Sequence, residues 1–283
     1  MTALLLAVLV LAVLFDYING FHDTANAIAT SVATRALRPA YAIGMAAAFN
    51  FIGAFAGTAV AKTIGGGLVD EQTTTQTVVA AALIGAIIWN LITWRLGIPS
   101  SSSHALIGGL LGATIVAAGV GAIKMDGLVN KVLIPLFSSP LIGFLGAFLL
   151  MIALFSAGVI PTVDVPTWVI VVSATAISLG TAAGGWRIMA TMGHRVVELE
   201  PIHGFAAETT AATVLYTTAH FGMPVSTTHV ISSSIMGVGT SKGRHGVRWG
   251  VARSILVAWI VTIPAAATMG ALSWVVLDAL GIH

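Results

Sequence analysis

Residues 3–15 read ALLLAVLVLAVLF, without one polar side chain. A helix of that composition is apolar all round and has no wet face to offer, so it belongs in a large core or in lipid. Comparable runs recur near 40–61, 78–94, 104–122, 133–155, 166–184, 204–221 and 252–277, with the first extending over 3–19. A hydrocarbon core of ~30 Å takes roughly 17–25 residues of helix. Only 8% of the 283 residues are Asp, Glu, Lys or Arg, against about 25% in a soluble domain. The chain cannot coat itself in charge, so lipid is its solvent. The fold expected is an all-α polytopic membrane protein of about nine crossings or hairpins; 225–240 is a shorter, more polar stretch.

There is no cysteine, which excludes disulfides and thiolate sites. No Lys or Arg precedes the first apolar run, so that run reads as a retained helix rather than a cleaved signal. The basic residues are grouped as Arg35/Arg38, Arg187/Arg195 and Lys242/Arg244/Arg248. The first group places the N-terminus outside by the positive-inside rule.

Against this background GIPSSSSHALIGG, residues 97–109, is conspicuous, and GMPVSTTHVISSS, residues 222–234, nearly repeats it. Gly97, Pro99, Ser101 and His104 fall on Gly222, Pro224, Ser226 and His229; Ser102 and Ser103 fall on Thr227 and Thr228; upstream, Thr93 falls on Thr218. A doubled block in a membrane chain points to a transporter of two related halves with a midplane site where helices are interrupted. Each proline discourages helix just before it, and hydroxyls follow at the next helix start. Such a start presents free N–H groups and partial positive charge, a ready site for an anion. Two facing starts would grip one anion from both sides. The competing reading is plain helix capping and close packing by small residues; the matched duplication favours the site.

A second polar island is FDYINGFHDTANAIAT, residues 15–30. Asp16, Asn19, Asp23, Asn26 and Thr30 recur at three or four residues, along one helical stripe, and Gly20 offers a break. Ionisable groups inside a membrane segment mark pathways and sites. Asp23, with Asn19 and Asn26, supplies oxygen ligands for a hard cation, and His22 is suited to carrying a proton. The bland alternative is a solvated helix end. Glu208 lies in an apolar run and reads equally as a pathway or helix-entry residue. Asn90 reads as interhelical glue. His194, His203, His220 and His245 read as surface or interface residues. Asp70, Glu71, Lys124, Asp126 and Lys131 read as loop charges.

NGFHDTANAIAT, PSSSSHALIGG, GWRIMATMG and GMPVSTTHVISSS together resemble the inorganic phosphate transporter family, in its bacterial low-affinity branch. The resemblance implies an inverted-repeat transporter with two re-entrant or broken-helix hairpins, in the plasma or inner membrane, and not an enzyme. It implies symport of inorganic phosphate, or of a metal–phosphate complex, coupled to protons or sodium. By residue, it implies phosphate ligands at Ser101, Ser102, Ser103, Ser226, Thr227 and Thr228, with Asn26. It places Asp23, with Asn26, in the phosphate and cation site, Asp23 being the metal-ligand candidate; Asn19, His22 and Glu208 join the expected coupling set on their own chemistry. Expected partners are inorganic phosphate and the bilayer, with a homodimer left open and no nucleic acid. No cofactor is expected beyond the co-transported cation.

One departure stands out. The family carries its Asx-rich helix twice, and the second copy, something like His-Gly-Ala-Asn-Asp, is missing. It should fall between 133–155 and 166–184, where MIALFSAGVIPTVDVPTW, residues 151–168, joins the runs directly. The basic clusters at 35–38 and 242–248 both belong inside, which requires an even number of crossings between them. The runs give an odd number, and one more near 155–160 would restore parity. The expected layout is therefore an N-terminal repeat at 1–150, a shortened junction at 151–165 and a truncated C-terminal repeat at 166–283. Three readings compete with phosphate symport. They are a sulfate or other oxyanion permease, a transport-defective family member, and an intramembrane hydrolase built on Ser101 with His104 or on its repeat.

Overall fold

The computed structural model describes residues 3–53, 63–64, 66–156, 192, 196–197, 199–241, 243 and 246–282. The expected crossing at 166–184 and the junction at 157–165 lie outside the described residues. So do Arg187, His194, Arg195, Lys242, Arg244 and His245.

The described chain is helical, with one isolated bridge between Val69 and Ile123. Its principal helices are α1 (Ala3–Ala33), α2 (Pro39–Gly53), α3 (Gln76–Leu96), α4 (Ser102–Ala118), α5 (Ile134–Ser156), α6 (Pro201–His220), α7 (Thr227–Ser241) and α8 (Trp249–Ala279). Four stretches are long and apolar enough to cross a membrane: Ala3–Ala33, Gln76–Leu96, Met125–Leu154 and Trp249–Ala279. The first differs from the expected 3–19 crossing. Gly20 does not break it; one helix of 31 residues runs through, about 46 Å long at 1.5 Å per residue. A single glycine costs an interior helix only about 1 kcal/mol, too little to interrupt so apolar a run. The expected crossing at 104–122 is also shorter, because α4 ends at Ala118.

The polarity is that of a lipid-solvated protein. Val10, Val13, Phe137, Leu149, Ile260 and Leu272 lie exposed, while His22, His104, Glu208 and His229 are buried. Apolar surface of this extent is stable only against an apolar solvent.

Two packing seams fix the architecture. The long helix α8, which follows the second hairpin α6–α7 in sequence, packs along the first hairpin α3–α4; α5, which follows the first hairpin, packs along the second. Glycines let the backbones meet. A Cβ on Gly112 would lie 2.0 Å from the Ala267 carbonyl oxygen of α8, and one on Gly237 would lie 2.1 Å from the Phe144 carbonyl oxygen of α5. Gly112 and Gly237 are separated by the same interval as His104 and His229, so the duplication reaches into the packing. Close approach at small residues is how membrane helices associate without a hydrophobic drive. Each long helix also carries an internal proline, Pro140 in α5 and Pro264 in α8.

Candidate functional site

Each hydroxyl block makes one turn, and the same turn appears twice. α3 ends at Gly97 with φ 68°, and α6 is followed by Gly222 with φ 66°. That left-handed conformation suits glycine, which has no Cβ to clash. The amide of Ile98 donates to the Thr93 carbonyl at 2.9 Å, and that of Met223 to the Thr218 carbonyl at 2.9 Å. The Thr93 hydroxyl donates back to the carbonyls of Trp89 and Asn90, as Thr218 does to those of Val214 and Leu215. The next helix then starts on a serine cap. The Ser101 hydroxyl accepts from the His104 amide at 3.2 Å, and the Ser226 hydroxyl from the His229 amide at 3.1 Å. This capping defeats the hydrolase reading. Ser101 meets the backbone of His104 rather than its ring, and neither ring nitrogen of His104 has a hydrogen-bond partner among the described residues.

The two tips meet. The Thr228 hydroxyl donates to the Ser100 carbonyl across the boundary at 2.9 Å. α1 lies against both. Asn26 Nδ2 donates to Thr228 Oγ1 at 2.8 Å and to Thr227 Oγ1 at 3.2 Å, while the Ser102 hydroxyl donates to Asp23 Oδ1 at 3.2 Å. The Asn26 amide nitrogen is thereby committed to the second tip. Its Oδ1 is buried without a hydrogen-bond partner among the described residues, an acceptor close in sequence to the Asp23 carboxylate. Among the described residues no cluster of three His, Cys, Asp or Glu side chains forms. The donors on α1 are oxygens, which suit a hard cation rather than a thiophilic one.

His22 is 1% exposed and Asp23 22%. His22 Nδ1 lies 3.0 Å from Asp23 Oδ1. An ionised carboxylate only accepts, so with Asp23 charged that nitrogen carries the proton. His22 Nε2 lies 2.9 Å from the Thr93 hydroxyl, which also accepts from Ser100 Oγ at 2.9 Å. A continuous chain thus runs from the Asp23 carboxylate through His22 to the turn of the first tip.

Of the expected site residues, Asp23, Asn26, His22, Ser102, Thr227 and Thr228 come together in this network. Ser101 and Ser226 cap the two tip helices from buried positions. Ser103 and Asn19 are half-buried and join none of these bonds. Glu208, 7% exposed, meets α1 elsewhere; its Oε1 accepts from Thr30 at 2.7 Å, one turn beyond Asn26. The helical stripe fails at Asp16, which is exposed. Asn90 is buried, and neither polar side-chain atom has a hydrogen-bond partner among the described residues. His203 is buried rather than superficial. Its Nδ1 accepts from the Glu200 amide at 3.0 Å in a capping box at the start of α6.

Two participants were not predicted. Ser100 supplies the carbonyl that receives Thr228, and Thr93 supplies the hydroxyl that meets His22 Nε2 and accepts from Ser100. Thr93 stands in the repeat register, which is a usable signal. Ser100 faces Val225 in that register, and a polar residue in one copy opposite an apolar one is a departure that could have flagged it.

Relatives carry the same pattern. The sequence model of the phosphate transporter family matches residues 19–160 and 153–270. A probable low-affinity inorganic phosphate transporter of Bacillus subtilis is 41% identical over an alignment of 325 positions, covering 97% of both chains. One of the same description from Rhizobium meliloti is 42% identical over 324 positions, again covering 97% of each. Both alignments are longer than the 283 residues present here, so these relatives carry residues that this chain lacks. A solved structure of a sodium-dependent phosphate transporter shares the fold, with a TM-score of 0.79 at 21% identity over 98% of this chain and all of that one. A multi-pass helical membrane protein that builds one hydroxyl-capped turn twice, and matches that family's sequence model over most of its length, is a member of the phosphate transporter family, a family of transporters rather than enzymes.

Proposed function

We propose that the chain moves inorganic phosphate across a membrane by alternating access, as a symporter in which a co-bound cation or proton offsets the charge of the anion. The observation that carries this reading is the convergence of two hydroxyl-capped helix starts, joined by the Thr228–Ser100 bond, against the Asp23–Asn26 turn of α1. The tips offer N–H groups and alcohols without positive side chains. A bare dianion in such a site is prohibitively desolvated. Asp23 and Asn26 Oδ1 supply the ligands for a compensating cation, proton, sodium or divalent metal; the anion rests on the hydroxyls of Ser103 and Thr227 and on those of Ser102 and Thr228, which turn their protons to it from Asp23 and from the Ser100 carbonyl. Ser101 and Ser226 hold the two helix starts in place. His22 orients the Asp23 carboxylate. Glu208, a buried carboxylate of α6 held against α1 by Thr30, is a further coupling group.

Uptake of labelled phosphate into proteoliposomes tests the reading. Uptake should rise with an inward proton or sodium gradient and persist in a large excess of sulfate. Inhibition by sulfate as strong as that by unlabelled phosphate would make the chain a general oxyanion permease instead, since hydroxyl and amide donors separate two tetrahedral oxyanions poorly.

The length difference from the relatives favours a second reading, a family member that has lost a crossing and with it coupled transport. The two stretches matching the family meet at 153–160, which supports placing a shortened junction there. Phosphate binding without uptake, under gradients that drive a full-length relative, is the result this second reading expects. Accessibility labelling of the 35–38 and 242–248 loops adds a topological check: an odd number of crossings puts them on opposite faces.

A further inference from the structure

Behind the tips, the two copies of the repeat touch at a pair of histidines that the phosphate site leaves unused. His104 and His229 hold equivalent places in α4 and α7, three residues beyond the capping serines. His104 is 1% exposed and His229 is fully buried. Their rings meet edge to face with centroids 5.0 Å apart. Trp259 of α8 stacks on His229 with centroids 4.1 Å apart and planes 26° from parallel. None of the four imidazole nitrogens, nor the indole Nε1 of Trp259, has a hydrogen-bond partner among the described residues. What these rings contribute is therefore contact.

The contact lies where it controls the site. The backbone amides of the same two histidines bond the capping hydroxyls of Ser101 and Ser226, so each ring is anchored to the first turn of its tip helix. In front, the tips are tied by Thr228 and Ser100. The ring pair is the second tie, set behind the first. Trp259 also crosses the boundary, because α8 packs on the first hairpin while this side chain stacks on the second. A five-membered ring on each side sets a short separation between the two groups of free helix-start N–H donors.

We propose that His104 and His229, backed by Trp259, are positioning residues for the anion. Their ring contact fixes the spacing of the two tips, and with it the affinity for phosphate. The inference rests on the phosphate-transport reading. It concerns KM, because the rings do not touch the anion and hold the empty and loaded tips alike.

The test compares labelled phosphate uptake by reconstituted wild-type protein with that of His104→Ala, His229→Ala, the double alanine variant and the single phenylalanine variants. Thermal unfolding in detergent serves as the control for folding. Each alanine variant should raise KM about three- to tenfold, the scale of one lost aromatic contact, with kcat within about twofold. The double variant should be no worse than the worse single, since both remove one contact. Phenylalanine keeps a flat ring at the joint and should hold KM within about threefold. Should alanine prevent folding, leucine at either position keeps the volume without the ring face and should still raise KM. Unchanged KM in the alanine or leucine variants, additive effects in the double variant, or phenylalanine as damaging as alanine would each overturn the inference; the last would mean that a ring nitrogen acts. Absence of phosphate uptake by the wild-type protein is a separate failure, that of the transport reading itself.

Discussion

Asp23→Asn reduces coupled phosphate uptake by roughly a hundredfold while leaving the amount of folded protein in the membrane unchanged. The size follows from the charge. Removing one partner of a fully buried charge pair costs about 3–5 kcal/mol; Asp23 is 22% exposed, so the low end, about 3 kcal/mol, applies, and at 1.4 kcal/mol per factor of ten that is roughly a hundredfold. The selectivity follows from the geometry. Asparagine has the same shape and retains an acceptor for the Ser102 hydroxyl, now 3.2 Å from Asp23 Oδ1, so the first tip stays docked on α1. What is lost is the negative charge that a co-bound cation or proton would answer. Uptake at matched protein levels, measured with and without the driving gradient, checks this. Wild-type gradient dependence in the variant would remove Asp23 from the coupling site.

Gly112→Val and Gly237→Val have the largest expected effects on stability. Each glycine lies where a tip helix crosses a long helix contributed by the other part of the chain. A Cβ at either position would fall within about 2 Å of a carbonyl oxygen, Ala267 for Gly112 and Phe144 for Gly237. The obstacle is backbone, which cannot rotate away as a side-chain end can. Either helix must shift as a body, at a cost of at least about 3 kcal/mol, beyond the usual overpacking range. Both variants should show little monodisperse protein in detergent and a sharply lowered unfolding temperature. Gly20→Ala is the contrast. A Cβ at Gly20 meets nothing within 4 Å, and alanine should stabilise α1 slightly. A valine at Gly112 with wild-type stability would mean that the α4–α8 seam is looser than the structure shows.

The tips were legible in sequence because their chemistry is local. Glycine at a left-handed position, proline ahead of a helix start and serine at the cap are choices dictated within a few residues, and the duplication marked them as deliberate. The polar stripe on α1 was legible for the same reason, as a three-and-four spacing. What remained hidden depends on long-range placement. Gly20 reads as a break, yet α1 runs through it to Ala33, because one glycine costs a helix too little to stop it. Thr30 and Glu208 are far apart in the chain, and neither sequence context names the other. The same holds for the ring contact between His104 and His229. The repeat equated the two positions, but only the fold brings equivalent residues face to face. The exchange of α5 and α8 between hairpins is likewise invisible to periodicity, since an apolar helix reads the same whichever partner it packs against.

Phosphate binding here depends on two tips that share one anion. The most direct measurement is equilibrium binding of labelled phosphate to the purified protein, comparing wild type with Ser102→Ala in the first tip, Thr228→Val in the second, and the two combined. Each single variant should weaken binding about ten- to a hundredfold, the worth of a hydrogen bond to a charged group, and the combination should weaken it further than either alone. Normal affinity after loss of one tip's hydroxyl, with all of the effect confined to the other, would contradict a shared site.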